Sequence, residues 1–192
     1  MKLGLTGSIA CGKSTVSAYL ASLGCAIVDA DAISRALTAD GGAALPAVRV
    51  FCGDSLDRRA LGQLVFSDSQ KRDELNAILH PLILREITRQ LDAFDAPERL
   101  VIGDIPLLYE CGMQTLFDAV WVVSVPRETQ IQRLAQRDGL DRTQAERRID
   151  AQMPLAQKEQ LADAVIHTDG TIEQTQRQID ALLCRLAQRR KP

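Results

Sequence analysis

Gly7-Ser8-Ile9-Ala10-Cys11-Gly12-Lys13-Ser14-Thr15 matches the phosphate-binding pattern G-x-x-x-x-G-K-[ST] at every fixed position. Lys2-Leu3-Gly4-Leu5-Thr6 precedes it and is short and apolar enough for a buried strand. Val16 to Leu23 follows with apolar residues at helical spacing, and Gly24 ends the run. Strand, glycine loop and helix form the context the motif requires. The glycines let the backbone turn several N–H groups toward one anion, and the helix start adds the positive end of its dipole. Lys13 is expected at the outer phosphates of a bound nucleotide and the Ser14 hydroxyl on Mg²⁺. Gly7, Ala10, Cys11, Gly12, Lys13, Ser14 and Thr15 are therefore the expected nucleotide-binding residues.

The chain of 192 residues suits one domain, or one core with an inserted subdomain. A net charge of -2 gives no global basic field, so nucleic acid is not an expected partner and any anion site must be local. Cys11, Cys25, Cys52, Cys111 and Cys184 are odd in number and include no C-x-x-C pair. That argues against a disulfide framework or a zinc site and for a reducing compartment. No leader-like segment precedes the first strand and no apolar run approaches membrane-spanning length. A cytoplasmic chain without membrane contact is the expectation.

Ala26-Ile27-Val28-Asp29-Ala30-Asp31 reads as a second strand ending in two acids. In an open parallel sheet ligands lie beyond the carboxyl ends of strands. An acid there can orient an acceptor hydroxyl, take its proton or help hold Mg²⁺ through water. Asp31 could equally cap a helix over Ala32 to Leu37, and the residues alone leave both readings open. Asp40-Gly41-Gly42 is a turn. From there to about Asp95 the pattern is helical, with Leu75, Ile78, Leu79, Leu82, Ile83, Ile87, Leu91 and Phe94 at helical spacing. His80-Pro81 is expected to interrupt that run, since Pro81 suits a first helical turn better than an interior. The stretch is long for a simple crossover, and we read it as an inserted subdomain for a second substrate. Arg58 and His80 are its candidate substrate contacts, against the plainer readings of a solvated charge and a turn residue.

Arg99 to Asp104 is the next strand, and Asp104 at its end is placed to hold the water shell of Mg²⁺. Ala119 to Val125 is the clearest buried strand. Arg127 to Asp138 reads as a helix with Arg133 and Arg137 on one face. Thr143-Gln144-Ala145-Glu146 has the form of a capping box. Six arginines against four acids between Arg127 and Arg148 suit a helical hairpin that closes over ATP, against the plainer reading of a solvated helix pair with salt bridges. Ala164 to His167 is a last short strand, and Thr171-Ile172-Glu173-Gln174 a further capping box before the final helix. These residues alone reach a kinase with a phosphate loop acting on a small phosphorylated or nucleotide-like acceptor. A nucleoside or nucleotide kinase is the alternative within that class. A GTP-driven switch lacks its N-K-x-D guanine motif, and a noncatalytic coenzyme-binding module would leave the loop without a task.

Several stretches together resemble the dephospho-coenzyme A kinase family. They are the loop itself, Ile27-Val28-Asp29-Ala30-Asp31, Leu56-Asp57-Arg58, His80-Pro81, Asp104 to Glu110, Arg133 with Arg137, Gln152, Lys158 and Ala162 to Ile166. The resemblance implies an α/β P-loop NTPase three-layer fold with a parallel β-sheet core (about 1–39 and 99–192). It also implies a helical acceptor-binding insert (about 40–98) and a helical lid (about 138–160). It implies transfer of the ATP γ-phosphoryl to the ribose 3′-hydroxyl of dephospho-coenzyme A, the last step of coenzyme A synthesis. ATP and Mg²⁺ are the implied cofactors, and ATP and dephospho-coenzyme A the implied small-molecule partners of a monomer or weak homo-oligomer. On this match Lys13, Asp31 and Arg137 are the catalytic candidates, Asp31, Arg58 and His80 the substrate contacts, and Ser14 with Asp104 the metal ligands, Asp104 through water. Ala10 and Cys11 stand where the family usually has Gly and Ser. The Cys11 thiol, close to an electropositive site, is expected to have a lowered pKa. Thr168-Asp169-Gly170 replaces a loop that usually carries Asn.

Overall fold

The computed structural model describes residues 1–52, 69–96 and 99–189. The chain divides into two compact units, Met1–Val28 with Phe94–Pro192, and Asp29–Ala93. The first unit is built on a five-stranded sheet in the order β2-β3-β1-β4-β5. Its strands are β1 (Lys2–Gly7), β2 (Ala26–Asp29), β3 (Val101–Asp104), β4 (Ala119–Ser124) and β5 (Ala164–His167). β1 pairs in parallel with β3 and β4, and β4 in parallel with β5. The central strand is thus the first, and its partners lie about a hundred residues downstream, as in the register pairs Leu3↔Ile102 and Leu5↔Trp121.

Side-chain alternation decides what covers each face. Leu3, Leu5, Ile102, Trp121, Val123 and Ile166 meet one core cluster. That cluster is completed by Val16 and Leu20 of α1 (Lys13–Ser22) and by Ile179 and Leu186 of the long C-terminal helix. The opposite face of β1 and β3 carries the register partners Gly4 and Gly103. A Cβ on Gly103 would lie 2.4 Å from Cζ of Phe117, and one on Gly4 2.7 Å from Cδ1 of Leu108. The two bare positions let those side chains lie flat against the strands.

The second unit holds α2 (Ala30–Leu37), α3 (Leu45–Cys52) and α4 (Ser69–Phe94). Ala44, Val48 and Leu75 form its core, with Leu37, Phe51, Leu79 and Leu82 against them. Two expectations need correction here. β2 stops at Asp29, whose carboxylate accepts the Ala32 N–H at 3.0 Å and caps α2; Asp31 lies in the first turn of that helix and is not its cap. Pro81 does not interrupt the helical run, because it lies inside the 26-residue α4. A proline there forgoes one backbone hydrogen bond. The apolar series Leu75, Leu79, Leu82, Ile87 and Leu91 continues across it, and burial along that stripe outweighs the lost bond.

Beyond β4 come α5 (Arg127–Asp138), α6 (Arg142–Asp150), α7 (Leu155–Leu161) and, after β5, α8 (Ile172–Arg189). α5 and α6 form a hairpin whose Ile131, Leu134, Ala145 and Ile149 pack with Ile9 and Ala10 of the glycine loop. The capping box of α6 is Asp141 with Gln144, two residues before the expected Thr143. Glu146, the acid expected in that box, is taken by Arg142 at 2.9 Å instead. The box at Thr171 and Gln174 forms as read from the sequence.

Candidate active site

The site begins where β1 runs into its loop. A Cβ on Gly7 would stand 2.5 Å from Sγ of Cys11 and 2.7 Å from the Val123 carbonyl oxygen, so only glycine fits. Gly12, at a φ of 85°, caps α1 without any side-chain hydrogen bond. The Thr15 N–H bonds the Gly12 carbonyl at 3.0 Å, and the helix start brings the positive end of its dipole to the loop, the arrangement that takes anions.

Side chains from distant elements fix the loop's backbone. Gln152 Oε1 accepts from the Ser8 hydroxyl at 3.0 Å and from the Ile9 N–H at 2.8 Å. Gln130 Nε2 donates to the Ile9 carbonyl at 2.8 Å, and Arg133 Nη1 to the Ala10 carbonyl at 3.2 Å. The Thr168 hydroxyl donates to the Cys11 carbonyl at 2.6 Å, while Arg133 Nη2 donates to the Thr168 carbonyl at 2.6 Å. Ala10 has a φ of 60°, the one non-glycine residue in the left-handed region among the described residues. Its departure from glycine is therefore at a position that asks for glycine.

Lys13 Nζ pairs with the Asp104 carboxylate at the end of β3, and both side chains are largely buried. Ser14 and Thr15 are exposed beside them. A cleft of about 480 Å³ opens next to the loop, lined by Gly12, Ser14, Thr15, Arg133, Arg137 and Thr168 among others. Arg133 and Arg137 do share a face, with different tasks. Arg133 fastens the loop to the end of β5. Arg137 bonds Asp138 through Nε and Nη2 at 2.8 and 3.0 Å.

The lowered pKa expected of Cys11 is reversed. Its side chain is 1% exposed, and burial pushes the thiol above its ordinary range. The Lys13 backbone N–H and the Lys13 and Lys158 charges act the other way and are outweighed. Asp31 and His80 belong to the second unit, Asp31 exposed in α2 and His80 partly buried within α4. Arg58 lies outside the described residues. Thr168, Gln130 and Gln152 hold the loop without having been singled out for it. Thr168 had a signal, as a polar residue at the carboxyl end of an apolar strand. Gln130 had none within its own helix.

A parallel sheet whose central strand enters a glycine loop, a helix that starts at the loop's end, and a loop lysine facing an acid on the next strand define a P-loop nucleotide-phosphate-binding protein. A family model described as dephospho-CoA kinase matches residues 1–174, and the chain belongs to that family. It is 43% identical over 191 residues to the dephospho-CoA kinase of Shouchella clausii, covering 95% of this chain and 97% of that protein. A crystal structure from Thermus thermophilus superposes with a TM-score of 0.82 at 34% identity, covering 97% of each chain. The dephospho-CoA kinase of Campylobacter jejuni does so with a TM-score of 0.69 at 29% identity, over 95% of this chain and 98% of that one.

Proposed function

We infer that the chain is a dephospho-CoA kinase, transferring the γ-phosphoryl of ATP to the ribose 3′-hydroxyl of dephospho-CoA and releasing CoA and ADP. The observation that carries this is the complete phosphate loop, with Lys13 facing Asp104, in a chain matched by the family over residues 1–174. Phosphoryl transfer needs positioning and charge stabilisation more than covalent help. The loop N–H groups from Gly7 to Thr15 cradle the phosphates, and Lys13 stabilises charge on the outer ones. Arg137, at the cleft, adds charge from the hairpin side. Asp31 orients the acceptor hydroxyl, while Arg58 and His80 of the insert contact the acceptor.

Mg²⁺ fits the donors present: an exposed Ser14 hydroxyl and the Asp104 carboxylate offer hard oxygen ligands, and this ion keeps waters and substrate phosphates as its remaining ligands. Ser14 would hold it directly and Asp104 through water. Bound there, it would neutralise phosphate charge. The segment 138–160 acts as a lid that excludes water, which would otherwise compete for the phosphoryl group. Among the described residues no helix is long and apolar enough to cross a membrane. A cytoplasmic monomer or weak homo-oligomer, with no nucleic-acid partner, completes the reading.

The test is ADP release from Mg-ATP with dephospho-CoA, nucleosides, nucleoside monophosphates or no acceptor, each repeated with GTP. Turnover with dephospho-CoA alone is expected, and a preference for a nucleoside or nucleotide would overturn the substrate. Lys13→Ala is expected to lower turnover about 100- to 1,000-fold, in the range seen when one preorganised charge-stabilising donor is removed. Near-native turnover would remove Lys13 from the site.

A further inference from the structure

Lys158 is wholly buried, although the proposed reaction gives it no task. It sits on α7, and its ammonium donates to Glu110 Oε1 at 2.8 Å, to the Pro106 carbonyl at 2.9 Å and to the Gly7 carbonyl at 3.4 Å. An ammonium has three protons, and three acceptors surround this one. The acceptors are not scattered. Gly7 opens the phosphate loop. Pro106 stands two residues beyond Asp104, and its carbonyl also accepts from the Thr6 hydroxyl at 3.0 Å. Glu110 Oε1 additionally accepts the Met153 N–H at 3.0 Å, where the chain leaves the hairpin for α7.

One side chain thus joins the two segments that present Lys13 and Asp104 to each other. A buried ion pair seldom exceeds a well-packed apolar pair in stability, so stability alone does not account for it. We propose that Lys158 is a positioning residue: through the carbonyls of Gly7 and Pro106 it sets the spacing between the phosphate loop and the end of β3, and with it the geometry that Lys13 and Asp104 offer a nucleotide phosphate. For its effect on turnover the proposal rests on the kinase reading above; for the loop geometry it does not.

The test compares Lys158→Met, Glu110→Gln and the double variant. Lys158→Met strands a carboxylate and is expected to lower the Tm. The double variant removes that charge and keeps an oxygen for the Met153 N–H, so its Tm is expected to return toward the wild-type value. Its kcat/KM for ATP is nevertheless expected to stay about 10- to 100-fold down, as a misplaced reacting group demands. A double variant with wild-type Tm, kcat and KM would overturn the proposal and leave Lys158 a packing residue. Should its Tm not recover, amide exchange in the folded protein decides. Faster exchange at Ile9, Cys11 and Thr15, whose N–H groups are hydrogen-bonded, with unchanged rates at Val122 and Val123 supports positioning. A uniform rise across both segments overturns it. If the wild-type chain released no ADP with dephospho-CoA, the kinase reading would fail while the exchange measurement still judged Lys158.

Discussion

Ala10 holds a φ of 60° beside a loop that must bind an anion. A Cβ in that conformation costs about 1–2 kcal/mol, offset in part by glycine's greater freedom when unfolded. Ala10→Gly is expected to raise stability by up to about 1 kcal/mol, read as a higher urea midpoint at unchanged m-value. A lower midpoint would mean that the methyl's packing against the hairpin's apolar cluster outweighs the backbone cost. Tyr109 gives a second case. Its hydroxyl is buried without a hydrogen-bond partner among the described residues, and burial, with the Asp163 charge, pushes its pKa up. Tyr109→Phe removes a stranded polar group and is expected to be neutral or stabilising by about 1 kcal/mol in the same measurement. Gly7, Gly12 and Lys13 were legible in the sequence because the motif fixes residue type and spacing together. The burial of Cys11 was not, since it depends on the packing of α1 and β4 around it.

The helical hairpin has an apolar seam, and charge pairs at its surface add to it. Arg142 holds the Glu128 carboxyl below its usual range; Arg137, then Arg148, does the same for Asp138, and Arg127 for Asp150. Because these pKa values are depressed in the folded state, the stabilisation is fully present above the ordinary carboxylate range. It is lost as pH falls through the depressed values. The hairpin is expected to loosen below about pH 4 and in about 1 M salt. Amide exchange along α6, corrected for intrinsic rate and compared with β4, reads this; equal changes in both would contradict it. At this scale the sequence spoke clearly where burial and period agreed, as for β4 and α5. It misled where one local rule competed with another. Asp29 outcompetes Asp31 as a cap because the strand ends earlier, and Glu146 is drawn from its box by Arg142.

For the molecule as a whole, nucleotide binding must appear as stability. Mg-ATP at about 100 times its Kd adds about 2.7 kcal/mol, which for a chain of this size is a rise of about 5–10 °C in Tm. Lys13→Ala strands the buried Asp104 carboxylate, so it is expected to lower the Tm of the free protein and also to lose most of the rise on adding Mg-ATP; an undiminished rise would place the nucleotide elsewhere. The class of the fold could be read from alternating strands and helices behind a phosphate loop. The strand order could not, since it is set by pairings such as Leu3↔Ala119 that leave no local trace. That order also governs how the protein is made. β1 is made well before the edges it needs, β3 and β4, so it waits while more than a hundred further residues are added. At about 5–20 residues per second this is on the order of 10 s, during which an apolar strand and its glycine loop are exposed to whatever else is in the cell. A nascent chain arrested before Val101 therefore holds β1 without either of its partner strands, an apolar segment open to a chaperone.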